Sequence, residues 1–450
     1  MKRLGYSLIG LAAVAAVGVW LLPHLIWRIP SRYVAAYFPE PVQAWAVSGQ
    51  VGVLPTAVSS VDASALLVVA TATPTVTAEP TTSPTETATA VPNATASPTT
   101  PPTNTPIPTS TPAPTATPLP FAASARLNNI THHFQEWNNC GPATIAMSLS
   151  YFGVYKRQIE TAAILKPNPE DRNVTPHEMV SYVNNFTNVK AITRANGDWD
   201  MMRRFLSHGI PVVIETGIDP PGSFSWMEWY GHYLLVVAYD DAAETVWVFD
   251  SWLGTTDTVE TYVDDAGNVV AQASQTGNGR TLSYAEFDNY WRQFNRTYIA
   301  LYRPEQEGVV QTIIGPQLAD EVMWAQGAAR AQAEVTAEPD NAYLWFNLGT
   351  NLTELGQYES AALAFDKARE LGLPARMLWY QFGPYEAYYQ LGRYEEVITL
   401  TSLTLERRPY FEESFYYRGL AYNALGRTAE ADADFANAVQ FNPNNRLADN

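Results

Sequence analysis

Cys140 is the only cysteine in the 450 residues. It lies in the stretch from Gln135 to Phe152, QEWNNCGPATIAMSLSYF, and Gly141 and Pro142 follow it directly. An apolar helical pattern comes next, at Ile145, Met147, Leu149 and Phe152. Proline is well tolerated in the first turn of a helix, where its missing N–H has no partner to lose. The spacing therefore predicts Cys140 at a helix N-terminus, where unpaired N–H groups and the helix dipole favour the thiolate. That is what a sulfur nucleophile requires. Gln135, five residues upstream, carries a side-chain amide able to donate to an oxyanion. A lone cysteine excludes an intramolecular disulfide and a cysteine cluster for zinc. The alternative for Cys140 taken alone is a small buried apolar side chain at a helix start.

A thiol nucleophile needs a base. His232 opens the apolar run HYLLVVAY and Asp250 closes TVWVFD, two predicted strands joined by the turn Asp240-Asp241-Ala242-Ala243. A turn centred near Asp241 sets positions 232 and 250 opposite each other on one face, so that Asp250 orients the imidazole. The alternative is a strand-edge histidine with a capping aspartate. His132 and His133 in the entry loop, and His177 and His208 on predicted helices, are weaker candidates.

The elements that must hold these residues run from Ala122 to about Pro304. Helices are expected at Lys156 to Leu165, after the capping-box residues Thr175 and Glu178, and at Asp198 to His208, ended by Gly209. Strands are expected at Val189 to Thr193, Ile210 to Thr216 and Thr297 to Tyr302, with an amphipathic aromatic stretch at Tyr284 to Phe294. Helices first and antiparallel strands later make an α+β domain over 122–304.

Taken together, Gln135, the CGPAT run, GHYLLVVAYDD and VWVFD resemble the papain-like cysteine peptidases related to the bacteriocin-processing, double-glycine-leader peptidases. The resemblance covers about 180 residues. It implies Cys140 as nucleophile, His232 as base, Asp250 as the residue orienting the base, and Gln135 in the oxyanion hole. It implies no metal and no organic cofactor. Nothing in the chain resembles the transporter ATPase to which the best-known members are fused, and Ser251-Trp252 follows the aspartate where proline is common.

Beyond Pro304 the pattern is helical and repeats. Leu355-Gly356-Gln357-Tyr358-Glu359 recurs as Leu391-Gly392-Arg393-Tyr394-Glu395 and as Leu425-Gly426-Arg427, with glycines 36 and 34 residues apart. Trp345, Leu348, Gly349, Ala361, Phe365 and Ala368 resemble the tetratricopeptide-repeat pattern. The second copy is the weakest, because Pro384 interrupts its first helix. An all-α repeat solenoid is expected over 317–450, with Gln317 to Val335 as a cap or connector. Its surface either binds a protein partner or only supports the catalytic domain.

The N-terminus has Lys2 and Arg3 before an apolar run from Leu4 to about Trp27, long enough to span a bilayer. Trp20, Pro23, His24 and Trp27 occupy the place of a signal-peptide cleavage site, so residues 1–30 read as a cytoplasmic tip and an uncleaved membrane anchor. Residues 31–70 carry no interpretable motif. Residues 71–120 are rich in Thr and Pro, without Lys or Arg, and read as a disordered linker or envelope stalk. Protease acting on intact cells is then expected to release the remainder. The formal net charge of −18 argues against nucleic acid as a partner.

The sequence thus describes a single-pass membrane protein with an extracytoplasmic cysteine peptidase domain and a repeat module, acting on a peptide or protein substrate. The alternatives are a non-catalytic interaction scaffold and another acyl transfer of amidase or transglutaminase type. Because every proposed catalytic residue lies between Gln135 and Asp250, deleting 340–450 is expected to spare short-peptide cleavage.

Overall fold

The computed structural model describes residues 53–57, 63, 66, 118–171, 173–219, 229–256, 259–263, 269–273 and 277–444. The expected membrane anchor, most of 31–70 and nearly all of the Thr/Pro-rich stretch lie outside these residues. Among the described residues no helix is long and apolar enough to cross a membrane.

Three helices follow a short first strand. They are α1 (Cys140–Ser150), α2 (Gln158–Leu165) and α3 (Pro176–Phe186). Thr175 and Glu178 cap α3 reciprocally, as their spacing predicts. A sheet follows. Its strands are β1 (Ser124–Arg126), β2 (Lys190–Arg194), β3 (Val212–Ile218), β4 (Tyr230–Asp240), β5 (Thr245–Asp250), β8 (Arg280–Ser283) and β9 (Tyr298–Tyr302). Their order is β2-β9-β3-β4-β5-β8, with β1 beside β4, and every pairing is antiparallel. Strands β6 (Val259–Val263) and β7 (Val269–Ala273) pair separately.

Both faces of the sheet are covered, which is why β3 is buried throughout. Val213, Tyr233, Leu235 and Val237 pack under α1 and α3. Val212, Ile214, Leu234 and Val236 pack under α4 (Trp199–Ser207) and α5 (Tyr284–Trp291). Asp198 caps α4 through Met201 N at 2.7 Å, and Gly209 after it adopts φ +69°, a conformation natural to glycine.

The helical half begins with α6 (Glu307–Ile314) and α7 (Asp320–Ala337). Paired helices follow: α8 (Ala342–Glu354) with α9 (Tyr358–Glu370), α10 (Gly383–Gln390) with α11 (Tyr394–Arg407), and α12 (Glu412–Ala424) with α13 (Thr428–Phe441). In the second pair the first helix is split. Ala375–Trp379 forms a 3-10 turn and α10 restarts with Pro384 in its first turn. Gly349 and Gly419 are small because Phe365 and Phe435 press against them, where a Cβ would come within 2.6 and 2.7 Å.

The two halves share a core. Trp229 and Phe294 are buried in one cluster with Leu344, Trp345, Leu348 and Leu378 of the repeats. Asn295 and Asn351 exchange side-chain hydrogen bonds of 2.9 and 3.1 Å, and Asn347 Nδ2 donates to Arg292 O at 2.6 Å. At the far end Asn442 Nδ2 donates to both Glu178 and Glu412. Burial and mutual repulsion raise the carboxyls there: Glu178 to about 7, with Asp171 and Glu413 also well above the usual range.

Candidate active site

Cys140 is the first residue of α1 and is partly exposed, whereas the rest of α1 is buried. The turn entering it is fixed from α2 and the loop after it. Gln158 Nε2 donates to Phe134 O at 2.6 Å, and its Oε1 accepts from Glu136 N at 2.7 Å. Lys166 Nζ donates to Trp137 O and Asn138 O at 3.1 and 3.0 Å, across a backbone whose Asn138 has φ +54°. Gly141 is closely packed: a Cβ would lie 3.2 Å from Val174 Cβ and 3.3 Å from Met179 Sδ, so these neighbours would have to give by a few tenths of an ångström. Thr144 Oγ1 donates to Tyr233 O at 3.4 Å, tying α1 to the strand that carries His232.

His232 Nε2 lies 2.9 Å from Asp250 Oδ1, and both side chains are only 1% exposed. Because Nε2 is engaged by Asp250, Nδ1 is the nitrogen left for the Cys140 thiol, with which the ring also interacts. The route to this contact differs from the expected one. Asp250 pairs across the ladder with Leu234, and the register shifts between Val236 and Ala238. A β-bulge takes up Val237, and the turn lies later than expected, between Asp240 and Thr245. His232 is therefore a diagonal neighbour of Asp250, two positions from direct opposition. A displacement of two keeps both on one face, within reach of a long side chain.

Asp250 collects four donors. Its Oδ1 also accepts from Trp252 N at 2.8 Å and Leu253 N at 3.0 Å, and Oδ2 accepts from Arg280 Nη1 at 2.7 Å. Burial pushes its carboxyl up, but His232, Arg280 and the backbone N–H of Leu253 outweigh this and hold it well below the usual range. Burial likewise pushes the His232 imidazole down. The charge and hydrogen bond of Asp250, then those of Cys140, outweigh it and raise the imidazole to about 10. The arrangement favours a protonated imidazole against the Asp250 carboxylate. Glu215 lies beneath, hydrogen-bonded by Tyr233 Oη at 3.3 Å. Burial raises it to about 8, so at neutral pH it is protonated and puts no negative charge near Cys140.

Gln135 is half-buried and held at two points. Its N–H donates to Ser251 O at 2.7 Å, and its Oε1 accepts from Ser251 Oγ at 2.8 Å. The amide nitrogen is thus the end left to donate. His132 does not reach the nucleophile; its Nε2 lies 2.8 Å from Asp250 O, pinning the entry loop to the end of β5. His208 sits at the C-terminus of α4 with Nδ1 at 2.8 Å from Arg204 O. Arg280, Ser251, Gln158 and Lys166 escaped the sequence reading. Arg280 lies 30 residues beyond Asp250 and nothing local marks it. Ser251 carries a weak signal, since it directly follows Asp250.

Residues 127–299 match the family model described as Peptidase_C39 like family. This stretch is a C39-like peptidase domain. Residues 342–371 and 412–445 match the model described as Tetratricopeptide repeat. Those segments hold the α8–α9 and α12–α13 pairs, on either side of the interrupted one. No curated protein matches the chain. A crystal structure assigned to a C39-like peptidase from Bacillus anthracis is 16% identical, over 40% of this chain and 98% of that one, with a TM-score of 0.29. The family therefore rests on the sequence model alone.

The raised His232 has a consequence for stability. In an unfolded chain its proton leaves near pH 6.5, whereas in the C39-like domain it is held to about 10. Its stabilisation is complete below about pH 6.5 and is lost as the pH rises through about 10. The melting temperature is expected to fall over that interval. His232→Gln should flatten the upper part of the fall, leaving the lower part that comes from Glu178, raised to about 7, and Glu215, raised to about 8. Scanning calorimetry between pH 5 and pH 10 on both proteins measures the difference.

Proposed function

We propose that the chain is a membrane-anchored cysteine peptidase whose C39-like domain hydrolyses peptide bonds outside the cytoplasm. The observation that carries this reading is the buried His232, held by Asp250 through Nε2 and interacting with Cys140 at the head of α1. In the proposed reaction the Cys140 thiol gives its proton to His232 Nδ1, and the thiolate attacks the substrate carbonyl carbon. The carbonyl π pair moves to oxygen, where Gln135 Nε2 and the Cys140 N–H donate to it. Collapse breaks the C–N bond, and His232 returns the proton to the leaving amine. Water then gives a proton to His232 and attacks the thioester, and the acid product leaves as the thiol is restored. A buried His232 held by Asp250 beside a partly exposed cysteine at a helix start supports this over a scaffold with an idle domain. The acidic repeat region is proposed to bind a protein partner or substrate. The apolar run from Leu4 to Trp27, flanked by Lys2 and Arg3, supports the anchor and the exported orientation.

Gln135→Ala tests the oxyanion role. It is expected to lower kcat on a fluorogenic peptide by about 10²-fold with little change in KM. Equal kcat for both proteins would remove Gln135 from the site. Peptide-library digestion by the intact protein tests the reading as a whole, and failure to cut any amide bond would favour the scaffold.

A further inference from the structure

The stretch before the Thr/Pro-rich tract carries no sequence motif, yet it is built into the repeats. Val53 forms an antiparallel bridge with Pro374, and Leu54 N donates to Leu373 O at 3.0 Å. Pro55 O accepts from Arg369 Nε at 2.8 Å. Arg369 is itself buried, and its other donors reach Tyr388 Oη and Glu396 Oε1, both at 3.0 Å. Leu54 and Ala63 are 2% and 5% exposed and belong to the core cluster of the first two helix pairs, with Leu66 packed against it. These are core residues of the repeat module, supplied by chain that precedes the catalytic domain.

The other end of the tract is fixed as well. Leu119 O accepts from Arg204 Nε at 2.9 Å, and the Phe121 ring lies under the guanidinium groups of Arg203 and Arg204. Ala122 N donates to Ser207 Oγ at 3.0 Å, and Ala122 O accepts from Tyr239 Oη. The chain thus leaves the repeats after Leu66 and rejoins the catalytic domain by Leu119.

We propose that residues 53–66 are a built-in ligand of the repeats, and that the Thr/Pro-rich tract is a loop closed at both ends on one folded body. This reverses the expectation that cutting the tract frees the catalytic domain from what precedes it. While the tract is intact, it holds the segment at a high effective concentration, so even weak docking would persist. Once the tract is cut, the segment is retained by its docking contacts, which among the described residues lie at Val53, Leu54, Pro55, Ala63 and Leu66. Cutting therefore reads the docking directly, without depending on peptidase activity or on membrane topology.

The test uses the full chain in detergent, with an affinity tag at the N-terminus and a specific endoprotease site inserted between Thr99 and Thr100. After complete cleavage the C-terminal fragment is expected to stay on the affinity resin through washing. Leu54→Asp puts a charge into the repeat core on the segment side only and leaves the C-terminal body untouched. It is expected to weaken retention about ten- to hundred-fold, the range set by losing one fully buried leucine. Release of the wild-type fragment on cutting overturns the proposal. So does equal retention of the Leu54→Asp protein, since the hold would then lie elsewhere.

Discussion

Cys140→Ala is expected to lower peptide turnover by about 10³-fold or more while leaving the melting temperature nearly unchanged. The chemistry and the packing point the same way. Cys140 is the one cysteine in the chain, and it stands partly exposed at the head of a helix whose other residues are buried. Removing its Sγ costs His232 one contact, at Nδ1, while Nε2 keeps Asp250. His232→Ala is expected to be equally inactive but less stable, by roughly 3–5 kcal/mol, because it leaves the Asp250 carboxylate buried with Arg280 as its remaining ionic partner. Thermal melts and initial rates on the two variants separate a chemical loss from a structural one. Substantial turnover by a folded Cys140→Ala protein would defeat the proposed nucleophile.

Deleting residues 340–450 is expected to unfold the catalytic half, or to abolish its activity on every substrate, short peptides included. The sequence alone suggests the opposite, since no proposed catalytic residue lies in that region. The packing decides against independence. Trp229 lies against Tyr343 and Tyr380 with ring centroids 5.8 and 6.1 Å apart, and its carbonyl accepts from Arg376 Nη1 at 3.1 Å. Gly231, the residue before His232, sits against Phe294 and Tyr380 so closely that a Cβ would come within 2.8 and 3.0 Å of their rings. Exposing Trp229 and Phe294 forfeits roughly 1.5–3 kcal/mol each, before the unpaired Asn295 and the carbonyl of Arg292 are counted. The base would then stand on an unsupported strand. Circular dichroism and short-peptide assays on the truncated chain check this. A folded fragment that cuts short peptides at the full rate would show the repeats to be a separate recruiting module. Tyr380→Ala offers a gentler version and is expected to lower both kcat and melting temperature.

What the sequence reveals here is what local chemistry encodes. Pro142 after Cys140 marks a helix start, Thr175 with Glu178 marks another, and the glycine period marks the repeats. Each signal lies within a few residues of the element it predicts. The register of β4 against β5 was legible only to within its face, because the bulge at Val237 falls inside an unbroken apolar run with no glycine or polar residue to announce it. Arg280 reaches Asp250 through tertiary folding, and Ser251 acquires meaning only once Gln135 is beside it. Val53, Leu54, Pro55, Ala63 and Leu66 form no motif because their contacts are backbone pairing and scattered apolar side chains, which leave no pattern in one sequence. The shared core around Trp229 and Phe294 is likewise invisible to periodicity, which assigns each element a buried face and not a partner.

The most direct test of the central claim is the rate at which iodoacetamide alkylates the intact folded protein, compared with His232→Ala at pH 6. Since the chain has one cysteine, a single mass increment assigns the adduct to Cys140 without further mapping. A nucleophile paired with a His232 imidazolium predicts fast, single-site alkylation, at least about ten-fold slower in His232→Ala, with peptide cleavage lost in proportion to labelling. Equal rates in the two proteins, both rising only toward the pH of about 8.5 typical of a free thiol, would contradict it.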